Sequence, residues 1–147
     1  MLRHSHIGVW LALGLTIGCQ SSTLTDPRHI DGRQAKGTVC VSLMTLTNPF
    51  FKVIGDTITE EATEAGYDVV VLGADEDAAK QTAQVKDFIV SGAAAIILAP
   101  YDSRAIGPVI SEAAAAGIAV FTVDNGCLVP DCQVVCHVAT DNAMGGE

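Results

Sequence analysis

Thr38-Val39-Cys40-Val41-Ser42-Leu43-Met44, running on into Thr45-Leu46-Thr47-Asn48-Pro49-Phe50-Phe51, is a β-branched apolar run that passes through a short polar loop into a helix start. The first half reads as a strand. Pro49 suits the first helical position, where its missing N–H costs nothing, and Asn48 before it can cap the helix. Loops leaving the carboxyl ends of strands are where open parallel sheets bind ligands, so this loop is a candidate half of a binding site. Phe50 and Phe51 are consecutive on a helix, and their side chains diverge by about 100°. They cannot both face the sheet, so at least one faces the crevice. Periodicity alone equally allows two core aromatics, one of them a hydrophobic staple.

Working outward, Val53 or Ile54, Ile58, Ala62 and Ala65 recur at helical spacing opposite Lys52, Asp56, Glu60 and Glu64, and Gly66 stops the helix. A second strand follows over residues 67–72. Residues 73–77 give a turn and a cap, and Ala78, Val85, Phe88 and Ile89 mark the buried side of a helix ending near Gly92. Residues 94–99 form a third strand. Asp102 or Ser103 can cap the next helix, with Ile106, Val109, Ile110 and Ala113 inward and Gly117 as its stop; Gly107-Pro108 falls in its first turns. Residues 118–123 form a fourth strand.

Strands two to four are continuous apolar runs, the pattern expected for burial on both faces of a helix-covered parallel sheet. The alternation of strand and helix implies a doubly wound α/β domain. Residues 124–133, with Gly126, Pro130 and two cysteines, leave no room for a covering helix before the run Val134-Val135-Cys136-His137-Val138. The direction of that fifth strand stays open. Asp141-Asn142 can cap a further helix.

The chain has 147 residues, enough for one domain with a real core. Arg3, His4 and His6 precede the apolar run from Ile7 to Ile17, which has the layout of a secretory signal over residues 1–18 and is too short to span a bilayer. Thr16-Ile17-Gly18-Cys19 resembles the lipobox of bacterial lipoproteins, with Thr16 in place of the usual aliphatic residue; Cys19 is then the lipidated N-terminus and the membrane anchor. Residues 19–37 are polar, lack an apolar period and read as a flexible tether. The formal net charge is −9, and removing residues 1–18 takes away Arg3 and no acid. A chain this acidic is a poor partner for nucleic acid.

Thr47-Asn48-Pro49-Phe50-Phe51, residues 66–72, Pro100-Tyr101-Asp102-Ser103, Val123-Asp124 and residues 137–142 together strongly resemble the ribose-type periplasmic sugar-binding proteins. The similarity runs in order and with family-like spacing from Thr38 to Gly146. It implies the receptor of an ABC importer, localised in the periplasm, whose two similar lobes close on a monosaccharide or related polyol and dock on the permease. Each lobe has strand order 2-1-3-4-5, and residues 38–147 correspond to the first lobe only, as in a truncated chain. No enzyme activity, metal or cofactor is implied.

Carried over by position, the resemblance makes Asn48, Phe50, Phe51 and Asp124 sugar contacts. Asn125, beside Asp124, joins the ligand side but stands where an Arg is usual, and Ala99 stands where an Asn contact is usual. Neither supplies the fixed fork or the amide it replaces, which points away from ribose itself. A carboxylate and an amide can bond the hydroxyl edge of a sugar while aromatic rings stack on its C–H face.

Cys127 and Cys132 flank Pro130 in an exported chain and form a candidate disulfide, with Cys136 left over and Cys40 buried. The spacings of these cysteines and His137 match no standard zinc pattern. A dinucleotide enzyme needs glycines after the first strand, and residues 44–48 contain none. No P-loop or Gly-x-Ser-x-Gly elbow occurs. The effector domain of a lactose-repressor-type regulator shares the fold, yet an export signal occupies the N-terminus here. A tethered sensor presenting sugar to a membrane kinase or chemoreceptor is not separated from an import receptor by sequence. The Gly18-Cys19 reading predicts a diacylated N-terminal Cys19 in protein extracted from membranes, read by mass spectrometry; an unmodified Cys19 inside a longer mature chain rejects it.

Overall fold

The structure, a computed structural model, describes residues 34–140. The expected signal sequence, the expected lipidation at Cys19, the expected tether up to residue 33 and the expected helix start at Asp141-Asn142 lie outside the described residues. In chain order the elements are β1 (Thr38–Leu43), α1 (Pro49–Glu64), β2 (Asp68–Gly73), α2 (Ala78–Val90), β3 (Ala95–Leu98), α3 (Gly107–Ala115), β4 (Ala119–Val123) and β5 (Cys136–Val138). They build a five-stranded sheet of order β2-β1-β3-β4-β5 in which every neighbouring pair is parallel.

Right-handed crossovers fix which helix lies on which face. The chain moves one way from β1 to β2 and the other way from β2 to β3 and β4, so α1 covers one face and α2 with α3 the other. The core is divided accordingly. Val39, Val41 and Leu43 point toward α1, where Phe51, Ile54 and Ile58 meet them. Cys40, Ile96, Leu98 and Val120 point toward Val85 and Phe88 of α2 and Val109 and Ile110 of α3.

Burial on both faces holds for β1 alone. β2 is an edge strand with Asp68 and Val70 exposed. β3 and β4 alternate between buried and half-buried residues, with Ile97 and Val123 packed at the margin of the α1-side core.

The helix ends follow their local chemistry. Asn48 Oδ1 accepts from the Phe50 N–H at 2.9 Å, and Asp77 Oδ1 accepts from the N–H groups of Ala79 and Lys80 at 2.8 and 3.0 Å. Asp102 behaves differently from the sequence expectation. It accepts from the N–H groups of Arg104 and Ala105, but it closes a separate turn, and α3 starts only at Gly107 with Ile106 as an N-cap that makes no side-chain bond. Pro108 explains the break, since its ring fits a first helical turn and not a helix interior. Those two backbone bonds also hold the Asp102 carboxyl below its usual range.

The fifth strand is shorter than the run Val134–Val138 and lies parallel to β4, with Phe121 opposite Cys136 and Val123 opposite Val138. A parallel return needs the chain to travel back along the sheet, which a helix usually accomplishes. Here the Cys127–Cys132 disulfide closes a compact loop instead, its Cα atoms 6.4 Å apart. That loop is seated on the β3–α3 connection, where the Leu128 N–H donates to the Ser103 carbonyl at 2.8 Å and Val129 packs on Gly107.

Two outcomes follow from this packing. A Cβ on Gly107 would lie 2.6 Å from Val129 Cγ2 and 3.0 Å from its Cβ, a clash no rotation of Val129 removes. Gly107→Ala gains about 1 kcal/mol at most in helix propensity and loses about 1–3 kcal/mol to overpacking, so urea unfolding should show a net loss of stability. Second, Cys136 is exposed while Cys40 is buried in the sheet, where desolvation pushes its thiol pKa up. Alkylation of the native, unreduced chain at mildly alkaline pH should therefore modify Cys136 and spare Cys40, as read by peptide mapping.

Candidate functional site

Because all five strands run parallel, the loops after β1, β3 and β4 emerge at the same end of the sheet. The β1–α1 loop is ordered by its own polar groups. Thr45, almost fully buried, meets the Thr47 hydroxyl at 3.0 Å and accepts from the Thr47 N–H. Asn48 spends its carbonyl oxygen on the helix cap, and among the described residues its NH2 group has no hydrogen-bond partner.

The two phenylalanines part ways, as the helical angle between neighbours requires. Phe50 is 52% exposed and lines an open groove of about 410 Å³ between α1 and the ends of β4 and β5. Phe51 is 5% exposed and sits in the core beside Leu43 and Ala99. Its ring meets Phe50 edge to face, with centroids 5.2 Å apart and planes at 75°, so the buried ring backs the exposed one.

Asp124 reaches the same groove from the end of β4, together with Val123, Val138 and Thr140. Its backbone has φ 62°, a left-handed conformation in which Asp is one of the better-tolerated residues, and its N–H donates to the Val138 carbonyl at 2.9 Å. Pairing to β5 on one side and the turn on the other hold Asp124 at the groove. Asn125 is directed elsewhere: its Nδ2 donates to the Pro100 carbonyl at 3.3 Å, tying the loop after β4 to the loop after β3. Ala99 is fully buried, and its side chain adds only packing.

The structure thus brings Phe50 and Asp124 to one groove, with Asn48 capping the helix that carries Phe50. Phe51 lies behind the groove wall and Asn125 between two loops. Sequence reasoning passed over Gln81 and Gln84, both buried, whose amides reach the ends of β1, β2 and β3. Polar residues on the otherwise apolar side of α2 were the available signal. It also passed over the pairing of Thr122 Oγ1 with His137 Nδ1 at 2.9 Å, which links β4 to β5 beside the site.

Residues 39–147 match a family model described as a periplasmic binding protein domain. The ribose import binding protein of Salmonella typhimurium is 39% identical over 77% of this chain and 38% of its own length. The D-apiose import binding protein of Paraburkholderia graminis is 34% identical over 94% of this chain and 43% of its own length. Among solved structures, the Caulobacter myo-inositol binding protein with bound myo-inositol superposes with a TM-score of 0.70 at 33% identity, over 78% of this chain and 38% of that one. The chain spans about two fifths of the length of the curated relatives it matches. With a parallel sheet of order 2-1-3-4-5, loops gathered at its carboxyl end and a family match over most of its length, this chain belongs to the periplasmic binding protein domain family.

Proposed function

We propose that this chain is the first lobe of an exported receptor for an ABC sugar importer, and that it presents a neutral monosaccharide or cyclic polyol to a second lobe. The observation that carries the reading is the groove shared by an exposed aromatic ring and a carboxylate, Phe50 and Asp124. A sugar offers C–H faces to the ring and hydroxyls to the carboxylate, and charge-assisted hydrogen bonds of that kind are the strong ones. The uncommitted NH2 of Asn48 adds a donor from the β1–α1 loop. Phe51 contributes by holding Phe50, and Asn125 by holding the neighbouring loop. The names of the relatives support the same class, since they are import binding proteins for ribose and apiose and a binding protein for myo-inositol.

The same reading places the mature chain in the periplasm, tethered through Cys19 and residues 20–37. One lobe leaves much of a sugar in water, where each hydroxyl contact is worth about 1 kcal/mol, so the lobe alone should bind at millimolar strength or weaker. A receptor polypeptide carrying this lobe and its second lobe, titrated calorimetrically with pentoses, hexoses and cyclitols, should bind one of these classes tightly. Phe50→Ala and Asp124→Asn should each weaken that binding by over about tenfold, or about 1.4 kcal/mol, with Asp124 the larger loss. Phe51→Ala should instead lower stability by about 3–5 kcal/mol, as expected for a buried ring. Tight binding that survives both groove substitutions places the site elsewhere.

A further inference from the structure

The buried amides of α2 serve no purpose in a purely apolar core, and their targets are not scattered. Gln81 is fully buried. Its Nε2 donates to the Ala99 carbonyl at 3.0 Å and the Ser42 carbonyl at 3.3 Å, and its Oε1 accepts from the Tyr101 N–H at 2.9 Å. Gln84 accepts from Ser42 Oγ at 2.8 Å and donates to the Gly73 carbonyl at 3.0 Å. Every one of these partners lies at or just past the carboxyl end of β1, β2 or β3.

At those ends the strand ladder runs out. β3 stops at Leu98, so the carbonyl of Ala99 and the N–H of Tyr101 have no strand residue to meet. Left unpaired, the backbone there would turn toward water and take the loop with it. We infer that Gln81 and Gln84 are positioning residues, which complete the ladder at the ligand end of the sheet and set where the loops after β1 and β3 stand. Asn125 grips the same β3–α3 loop from the opposite side through the Pro100 carbonyl, so the Pro100–Tyr101 peptide is held by two amides. On the other flank the Ala74 and Glu76 N–H groups donate to the Leu43 and Met44 carbonyls, both at 2.9 Å, and Gln84 fixes the preceding Gly73. The inference deepens the sugar-site reading by naming what pre-forms the site, and it rests on that reading for its functional meaning.

The test is amide deuterium exchange read by NMR on the 147-residue chain. In Gln81→Met, which keeps the shape and removes both polar ends, exchange of the Tyr101 N–H should rise about tenfold or more relative to Val41 and Ile97 in the same molecule. Gln84→Met should leave the Tyr101 ratio unchanged and quicken Ala74 instead. If Tyr101, Val41 and Ile97 all speed up by one common factor, the amide contributes only to global stability and the inference fails. Should Gln81→Met not fold, Asn125→Ala reads the same peptide from the opposite side: a selective rise at Tyr101 supports the clamp and an unchanged ratio overturns it. Sugar plays no part in this readout. Sugar binding is read separately, by calorimetry on the receptor polypeptide that carries both lobes: if that receptor takes no sugar while Tyr101 changes selectively here, the sugar assignment is lost and the clamp is kept. A receptor that takes sugar while exchange here rises uniformly does the reverse.

Discussion

The position of β1 between two parallel partners is the constraint from which the molecule follows. It is bonded along its length to β2, from Thr38 opposite Asp68 to Leu43 opposite Gly73, and to β3, from Val39 opposite Ala95 to Ser42 opposite Leu98. A strand paired on both edges and covered on both faces has no place for water, and Val41, Ser42 and Leu43 are fully buried. Parallel pairing then forces each connection to travel back over a face, which brings the loops after β1, β3 and β4 to a common end. The candidate site is a consequence of that geometry before any residue in it is chosen.

The same constraint creates a polar problem at the end where function lies. Parallel strands of unequal length leave backbone groups without neighbours, and in a buried setting each such group must find a partner. This protein answers with side-chain amides. Gln81 and Gln84 reach up from α2, and Asn125 reaches across from β4. The disulfide loop has a related role. It replaces the helix that ordinarily returns a chain between parallel strands, and through Leu128 and Val129 it rests on the connection that the amides hold.

Tension between packing and exposure is visible in the two adjacent rings. Phe51 is placed in the core by the helix phase that also buries Gly55, whose absent side chain lets α1 approach Val71 and Leu43. The same phase turns Phe50 outward. An exposed aromatic beside a carboxylate is costly as surface and useful as a binding face, and the edge-to-face contact with Phe51 keeps it in one orientation.

By itself the sequence determined the succession of strands and helices, the Asn48 cap and the loop that carries Phe50, because hydrophobic period, Pro and Gly act over a few residues. It also brought Asp124 forward, through a resemblance that spans the whole domain. Only the tertiary structure decided the rest. That β2 is an edge strand, that β3 and β4 keep one face half open, that α3 begins after Gly107 and that β5 runs parallel all depend on what lies alongside. The separate fates of Phe50 and Phe51 depend on helix phase against a sheet whose position no local window contains. Gln81 is the sharpest case: it reads as a polar residue on a helix until residues 39 and 18 positions away bring their carbonyls onto its amide, since hydrogen-bond partners remote in sequence meet only once the sheet has formed.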